Sequence, residues 1–567
     1  MFEIIALCVI TWVAYWGAIK NGFVSDDIEG LQNYDGKLKK FDYGHLNKWL
    51  LYKLLEKSPK RNHLFSIFLH NADAILLFLF LSNIMPQRLA FMTSILFAIH
   101  PICTQSVAWI SARGYPISLF FSLIGLNIVF LSPTMPLNSP YSALLTVGYG
   151  FLYYLSIVAQ FATLATFAIQ AFLGNYFLAI IGFIISLIAG LGIIREVIGS
   201  RVKTFKEQNL SRSTFIKPQK LIVAIKTLAY YTKIVVFPKR LGLYHTFEYH
   251  YSEKTEKEDK WFWCGFAILL VSILGFWFGN PIVRLGILWY YAYIFIFLNW
   301  ITIHQFVSER YAYIASIGIC ILLAYGLSCL DHLLFNNYPV CFGIATALYL
   351  MRTWAHLPTY QDEVLFYQSN IWNFPDSEVA FSNLAVVYMK CNLMGSAVDM
   401  WQISIKINPT YDVAYYNISS VMKQSGDFNK AREFLKKAVE SPKCHFKDLW
   451  VKELAQLEHE IAYAGELNVI GAKLNELKNN PDRKLEVEGL QKQLQDINNL
   501  HKIFEEQRKN RLVLIQQEEQ SLKLKMVEIE RAKTELSKGI TPEEIIKARD
   551  QNFNVLKETV RRISETT

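Results

Sequence analysis

LFSIFLHNADAILLFLFLSN, residues 64–83, is apolar nearly throughout. A helix crossing the hydrocarbon core needs about 20 mostly apolar residues, and this stretch has that length. Read as a span, it sets the class of the whole first part of the chain, because similar runs recur on both sides of it. On the same criterion about eleven spans are expected, over 3–19, 64–83, 88–106, 114–131, 141–159, 160–174, 176–195, 262–279, 282–300, 311–330 and 336–354. The first run, MFEIIALCVITWVAYWGAIK, carries an acidic Glu3 where a signal peptide is basic, and no small-residue cleavage site follows. It reads as a retained first transmembrane helix.

The averages of 52% hydrophobic and 19% charged residues hide two different parts. Apolar runs with few charges dominate up to about residue 354; beyond it Lys, Arg, Asp and Glu dominate and nearly cancel. The net charge of +9 is modest, and no basic stripe with interleaved aromatics runs through the chain. Nucleic acid is therefore not an expected partner. The eight cysteines show no C-x-x-C or zinc-like spacing and mostly sit in or beside apolar runs, so they read as small buried hydrophobes.

Four polar segments separate the spans: 20–63, 100–115, 196–261 and 301–310. An odd span count places all four on one face, together with the C-terminal part, where an enzyme could gather a site. The basic stretch RVKTFKEQNLSRSTFIKPQK (201–220) would by itself prefer the cytoplasm, but charge bias weakens in long loops. Within that segment, LIVAIKTLAYYTKIVVF (221–237) carries two lysines and reads as an interfacial helix, with a true span as the alternative.

After Pro358 the pattern becomes that of a water-exposed helical region. Ala380, Asn383, Leu384 and Ala397 are matched by Ala414, Asn417, Ile418 and Ala431, a period of about 34 residues closed by Pro409 and Pro442. Small residues where paired helices touch, with proline after the second helix, are the tetratricopeptide (TPR) pattern. The expected division is a membrane domain over 1–354, a TPR domain over 355–470 and a helical or coiled-coil tail over 471–567. Leu490, Leu494, Ile497 and Phe504 carry the tail's 3-4 spacing; a partner-binding coiled coil and a hairpin packed on its own chain both fit it.

Four clusters could carry chemistry. Asp26-Asp27, in NGFVSDD just after the first span, could supply a general base or ligate a divalent metal, or could simply cap a loop helix. Arg61 and His63 enter the second span, with His70 further along, and could hold a phosphate or anchor the helix at the headgroups. In AIHPICTQSVAWISARGYP (98–116), His100-Pro101 breaks a helix inside apolar sequence; non-helical backbone at that depth must line a cavity or be covered by protein. Gln105, Trp109 and Arg113 then fall at i, i+4, i+8 on one helical face, either a site wall or a packing face. In SERYAY (308–313), Arg310 suits a lipid phosphate, while Glu309 could instead neutralise it.

As an ordered set, NGFVSDD, NHLFSIFLHNADAILLFLFL (62–81), AIHPICTQSVAWISARGYPISLFF, YYTKIVVFPKRLGLYH (230–245), SERYAYIASIGI (308–319) and the 353–388 stretch resemble the transmembrane-and-TPR family of O-mannosyltransferase-like proteins, within the glycosyltransferase C superfamily. The resemblance covers about residues 10–443. It implies an all-α polytopic bundle and an inverting enzyme that moves a sugar from a polyprenyl-phosphate donor to an extracytoplasmic protein or glycan hydroxyl. It implies Asp26 and Asp27 as the catalytic centre, with Mg or Mn as a metal they could hold. It assigns Arg310 to the donor phosphate, with Arg61, His63 and Lys233 as further candidates, and His100, Gln105, Arg113 and Glu309 to the site wall. The TPR region and tail would bind an acceptor or partner protein, in a bacterial inner membrane with the C-terminal part on the periplasmic side. Two departures stand out. Gln105 replaces the glutamate common among relatives, and Gly114-Tyr115 stands where an acid often follows the arginine. They open the alternative of a catalytically silent membrane scaffold.

Overall fold

The computed structural model describes residues 1–34, 36, 49, 52–131, 218–245, 260–299, 307–442, 444, 446–477, 483–503 and 506. Every regular element among them is helical. The chain divides into two compact units, Met1–Trp450 and Val451–Thr567.

The first unit opens with α1 (Phe2–Tyr15), α2 (Pro59–Ser82), α3 (Gln87–Ala98), the short α4 (Thr104–Ala108) and α5 (Gly114–Leu131). It continues with α6 (Pro218–Val236), α7 (Lys260–Phe278), α8 (Pro281–Ile294), α9 (Ser316–Phe335) and α10 (Val340–His356). Helix α2 starts where its sequence says it should. Ser58 accepts the Arg61 N–H at 3.4 Å and Pro59 takes the first turn, where no N–H is needed. The core is built on Leu77, Phe80, Phe97, Trp289 and Ile317, all fully buried. Two backbones approach closely at Gly318, where a Cβ would lie 2.5 Å from the Gly286 carbonyl and from the Tyr290 nitrogen. Small residues at such a crossing let membrane helices pack by dispersion alone.

Four helices are long and apolar enough to cross a membrane: Phe2–Lys20, Pro59–Ser82, Lys260–Phe278 and Ser316–Phe335. The chain is thus a helical membrane protein, but the described residues do not yield the expected eleven spans. Three of those expectations, 141–159, 160–174 and 176–195, lie outside the described residues. The 88–106 run is two helices bent by 47° at His100-Pro101, which count as a fifth span only if taken together. The 282–300 run breaks at Phe295 and ends near Asn299, which is left-handed at φ 63. The 336–354 run gives α10 of 17 residues between Pro339 and Pro358. At 1.5 Å per residue that is about 26 Å, short of a hydrocarbon core of roughly 30 Å. The 114–131 run forms the single helix α5, 18 residues from Gly114 to Leu131. Helix α6 is not among the crossing helices, and it buries Lys226.

Beyond α10, α11 (Glu363–Asn373) is capped by Asp362, and two helical hairpins follow. They are α12 (Glu378–Lys390) with α13 (Met394–Ile407), and α14 (Asp412–Gln424) with α15 (Phe428–Glu440). Ala380, Ala397, Ala414 and Ala431 are each fully buried, and Trp401 fills the space between the pairs. Each hairpin turns through a left-handed residue, Asn392 at φ 60 and Gly426 at φ 81, one repeat period apart. In the second unit the helix begun at Lys447 ends at Leu477, and a further helix covers 484–503. Tyr463 donates to Asn498 at 2.7 Å and stacks on His501 at 3.9 Å, while His459 stacks on the same imidazole at 5.9 Å. This part of the tail folds back antiparallel on its own chain.

Candidate active site

The described parts of the four polar segments meet. Gly22 donates to the Gln361 carbonyl at 2.8 Å, and the His63 ring lies 3.2 Å from the Gly22 carbonyl. These ties hold the loop in which Ser25 adopts φ 52 and the two carboxylates part company. Asp26 is exposed and lies near the phenols of Tyr244 and Tyr367. Asp27 is fully buried. Its Oδ1 accepts from the Ser111 N–H at 2.7 Å and from the Ser111 hydroxyl at 2.5 Å, and its Oδ2 has no partner. Burial pushes its carboxyl up to about 6; the Ser111 bonds and the Arg113 charge only partly offset this.

The expected single face through Gln105, Trp109 and Arg113 does not form. Helix α4 stops at Ala108, and Trp109 is extended at φ −103, ψ 113, followed by a 3₁₀ turn over Ile110–Ala112. The three side chains therefore serve different neighbours. Arg113 turns to α2, bonding Ser66 at 3.0 Å and the Asn62 side chain at 2.9 Å, and is a buried structural tie. Burial lowers it to about 10, still charged at neutral pH. Gln105 accepts the Arg310 N–H at 2.7 Å and the Ser308 hydroxyl at 2.9 Å. Trp109 lies under the Arg310 guanidinium, 5.0 Å from ring centre to carbon, with Tyr311 at 5.2 Å.

Glu309 does not neutralise Arg310. It is fully buried, accepts from the Gly242 N–H, and sits 3.7 Å from His245 and 3.4 Å from His356. Burial alone would raise its carboxyl; the two imidazoles outweigh that and hold it below the usual range. Arg310 is left with no carboxylate among the described residues. The Tyr115 hydroxyl lies against it, yet Nη1 is buried without a partner. The indole N–H of Trp109 is unpartnered and buried as well, while the Gln105 amide lies against the Tyr360 hydroxyl. Buried polar groups are almost always paired, so orphan donors on adjacent side chains mark a place for an acceptor.

The remaining candidates fall elsewhere. Arg61 is an exposed partner of Glu56 at 3.1 Å. Lys233 is exposed over Tyr230 and Trp261, its ammonium lowered by burial and by the nearby Arg240 and Lys260 charges. His100 accepts the Ile102 N–H at 3.2 Å and packs on Tyr349 at 4.6 Å, capping the break. Asp26 and Asp27 do not fit a divalent ion: one is exposed, the other has one oxygen committed to Ser111. No group of three metal-ligating side chains occurs among the described residues. Sequence reasoning missed Ser111, His245 and His356, which carry no local signal. It also missed Asp73, whose charge inside an apolar run was a signal.

No family model matches the chain, and no solved structure matches it. The chain is 25% identical over 394 residues to a Caenorhabditis elegans protein O-mannosyl-transferase, covering 64% of this chain and 53% of that protein. It thus spans about half the length of the curated relative it matches, a distant similarity to a glycosyltransferase.

Proposed function

We propose that this chain is an inverting membrane glycosyltransferase that moves a sugar from a polyprenyl-phosphate donor to a hydroxyl of an extracytoplasmic protein or glycan. One observation carries the reading. An unpartnered buried acceptor, Asp27 Oδ2, and unpartnered buried donors on Arg310 and Trp109 all rest on the short stretch 105–111. Distant similarity to a protein O-mannosyl-transferase supports the same reaction class.

In this mechanism the acceptor hydroxyl attacks the anomeric carbon and its proton passes to Asp27 Oδ2. The bond from that carbon to the phosphate oxygen breaks. The charge on the departing polyprenyl phosphate is met by the Arg310 guanidinium and the Trp109 N–H. Ser111 orients Asp27, and Gln105 fixes the backbone that carries Arg310. A carboxylate at 105 would compete for the guanidinium; the neutral amide leaves it free for the donor. The helical hairpins, read as two TPR repeats, would present the acceptor, since Asn383 of α12 donates to Tyr244 beside Asp26 at 2.7 Å. We place the reaction on the outer face of a bacterial inner membrane.

The test is donor binding to the full chain in nanodiscs, using a polyprenyl-phosphate monosaccharide. Wild type binds, and Arg310→Gln weakens binding by at least about tenfold, as loss of a bidentate charged contact requires. A wild-type protein that binds no donor overturns the enzyme reading and leaves a membrane scaffold whose TPR region and tail hold a partner.

A further inference from the structure

His70 and Asp73, one turn apart on α2, and Tyr313, more than two hundred residues away in sequence, are fully buried in the core of the first unit. The Tyr313 hydroxyl lies 2.7 Å from His70 Nδ1 and 2.8 Å from Asp73 Oδ2. His70 Nε2 lies 3.1 Å from the Ala98 carbonyl. Phe97 and Tyr15 wall the imidazole at 5.2 Å each. No lysine or arginine among the described residues pairs with Asp73.

These contacts fix a proton count. A carbonyl only accepts, so His70 Nε2 carries a hydrogen and donates to Ala98. Tyr313 has one hydroxyl hydrogen and two neighbours that could each take it. If His70 Nδ1 is bare, Tyr313 donates to it, and its oxygen must then accept from a protonated Asp73. If Asp73 is a carboxylate, Tyr313 donates there and His70 must be an imidazolium. The trio is net neutral in both cases, and one proton distinguishes them. Charge separation in an apolar interior is the costlier arrangement. The other carboxyl oxygen, Oδ1, also has no partner. A bare carboxylate oxygen there is expensive, whereas the carbonyl oxygen of a neutral acid costs much less.

We propose that Asp73 is a neutral carboxylic acid that donates to Tyr313, and that the chain Asp73–Tyr313–His70–Ala98 is a positioning device for the phosphate-binding arginine. Tyr313 is one 3₁₀ turn beyond Arg310, its N–H bonded to the Arg310 carbonyl at 3.2 Å. Ala98 ends α3, just before the break that leads to Gln105 and Trp109. The relay thus pins both flanks of the Arg310 cradle to one helix, α2. The role in donor binding rests on the function proposed above; the protonation state does not.

Infrared spectroscopy of the full chain in nanodiscs at neutral pH tests the protonation state. A carbonyl stretch of a neutral carboxylic acid, above the amide I band, is expected in wild type and lost in Asp73→Asn. Its absence from wild type overturns the proposal whether or not the protein binds a donor. Asparagine can donate to Tyr313 as the acid does, so Asp73→Asn should keep donor binding within about threefold. Asp73→Leu and Tyr313→Phe, which leave buried partners unsatisfied, should weaken it by about tenfold or more. A folded Asp73→Asn that fails to bind, or Leu and Phe variants that bind normally, overturns the positioning role.

Discussion

The broken stretch 99–113 and the paired helices 378–440 treat buried polar groups in opposite ways. In the hairpins the buried serines close on neighbours, Ser404 on the Glu378 carbonyl at 2.9 Å and Ser419 on the Ala431 carbonyl at 2.7 Å, and the Trp401 indole N–H alone stays unpartnered among the described residues. Alanines fill the contacts, and each hairpin turn uses a residue able to adopt positive φ. In 99–113 the backbone leaves the helix twice, and its side chains and their neighbours keep donors and an acceptor unpaired out of water. Unpartnered buried atoms also occur singly elsewhere, but in and beside 99–113 they gather, and a place where local consistency fails in a cluster is a candidate for chemistry. The hairpins hold shape; the break holds unmet bonding capacity.

The sharpest way to break this contrast is Asp27→Asn. Transfer from a polyprenyl-phosphate sugar should fall by about 10² to 10⁴-fold, the usual worth of a general base. The protein should stay folded. Asp27 titrates higher in the folded chain than in the unfolded one, so its effect on stability is favourable at low pH and is lost as pH rises through about 6. The asparagine variant should therefore match or exceed wild-type thermal stability at pH 7.5. A variant that transfers sugar normally would remove Asp27 from the mechanism.

Trp401→Ala tests the other side. Truncating this fully buried indole should cost about 3–5 kcal/mol of hairpin stability. Protease sensitivity over 378–440 would reveal it, while donor affinity at Arg310 stays unchanged. Equal loss of donor binding would show that the two regions are not independent. A third expectation concerns pH. The ascending limb of the transfer rate should have a midpoint of about 6 and disappear from the residual activity of Asp27→Asn, whereas Asp26→Asn should keep it. The smallest effect is at Asp427, whose side chain caps α15 by accepting the Lys430 N–H at 3.2 Å. Asp427→Ala should lower the thermal midpoint slightly, with transfer intact.

Much of the scaffold is readable in the residues. Twenty-residue apolar runs can be little other than spans, and a period of small residues can be little other than paired helices. Both depend on local composition and repeat, which need no knowledge of distant neighbours. Length is where that reading overreached. An apolar run does not say where Pro339 or a left-handed Asn299 will cut it.

The site is another matter. From residue types alone Asp26 and Asp27 are equivalent, and Glu309 and a lipid phosphate are equal candidates to pair with Arg310. The fold separated the first pair by turning Ser25 left-handed, exposing one carboxylate and burying the other against Ser111. It drew Glu309 away to His245 and His356, leaving the guanidinium without a carboxylate among the described residues. By itself the sequence determined an all-helical membrane protein with a repeated helical region, because hydrophobic length and period are properties of neighbouring residues. Only the tertiary structure decided which acid is buried, which arginine is free and which polar atoms lack partners, because desolvation and pairing depend on segments hundreds of residues apart.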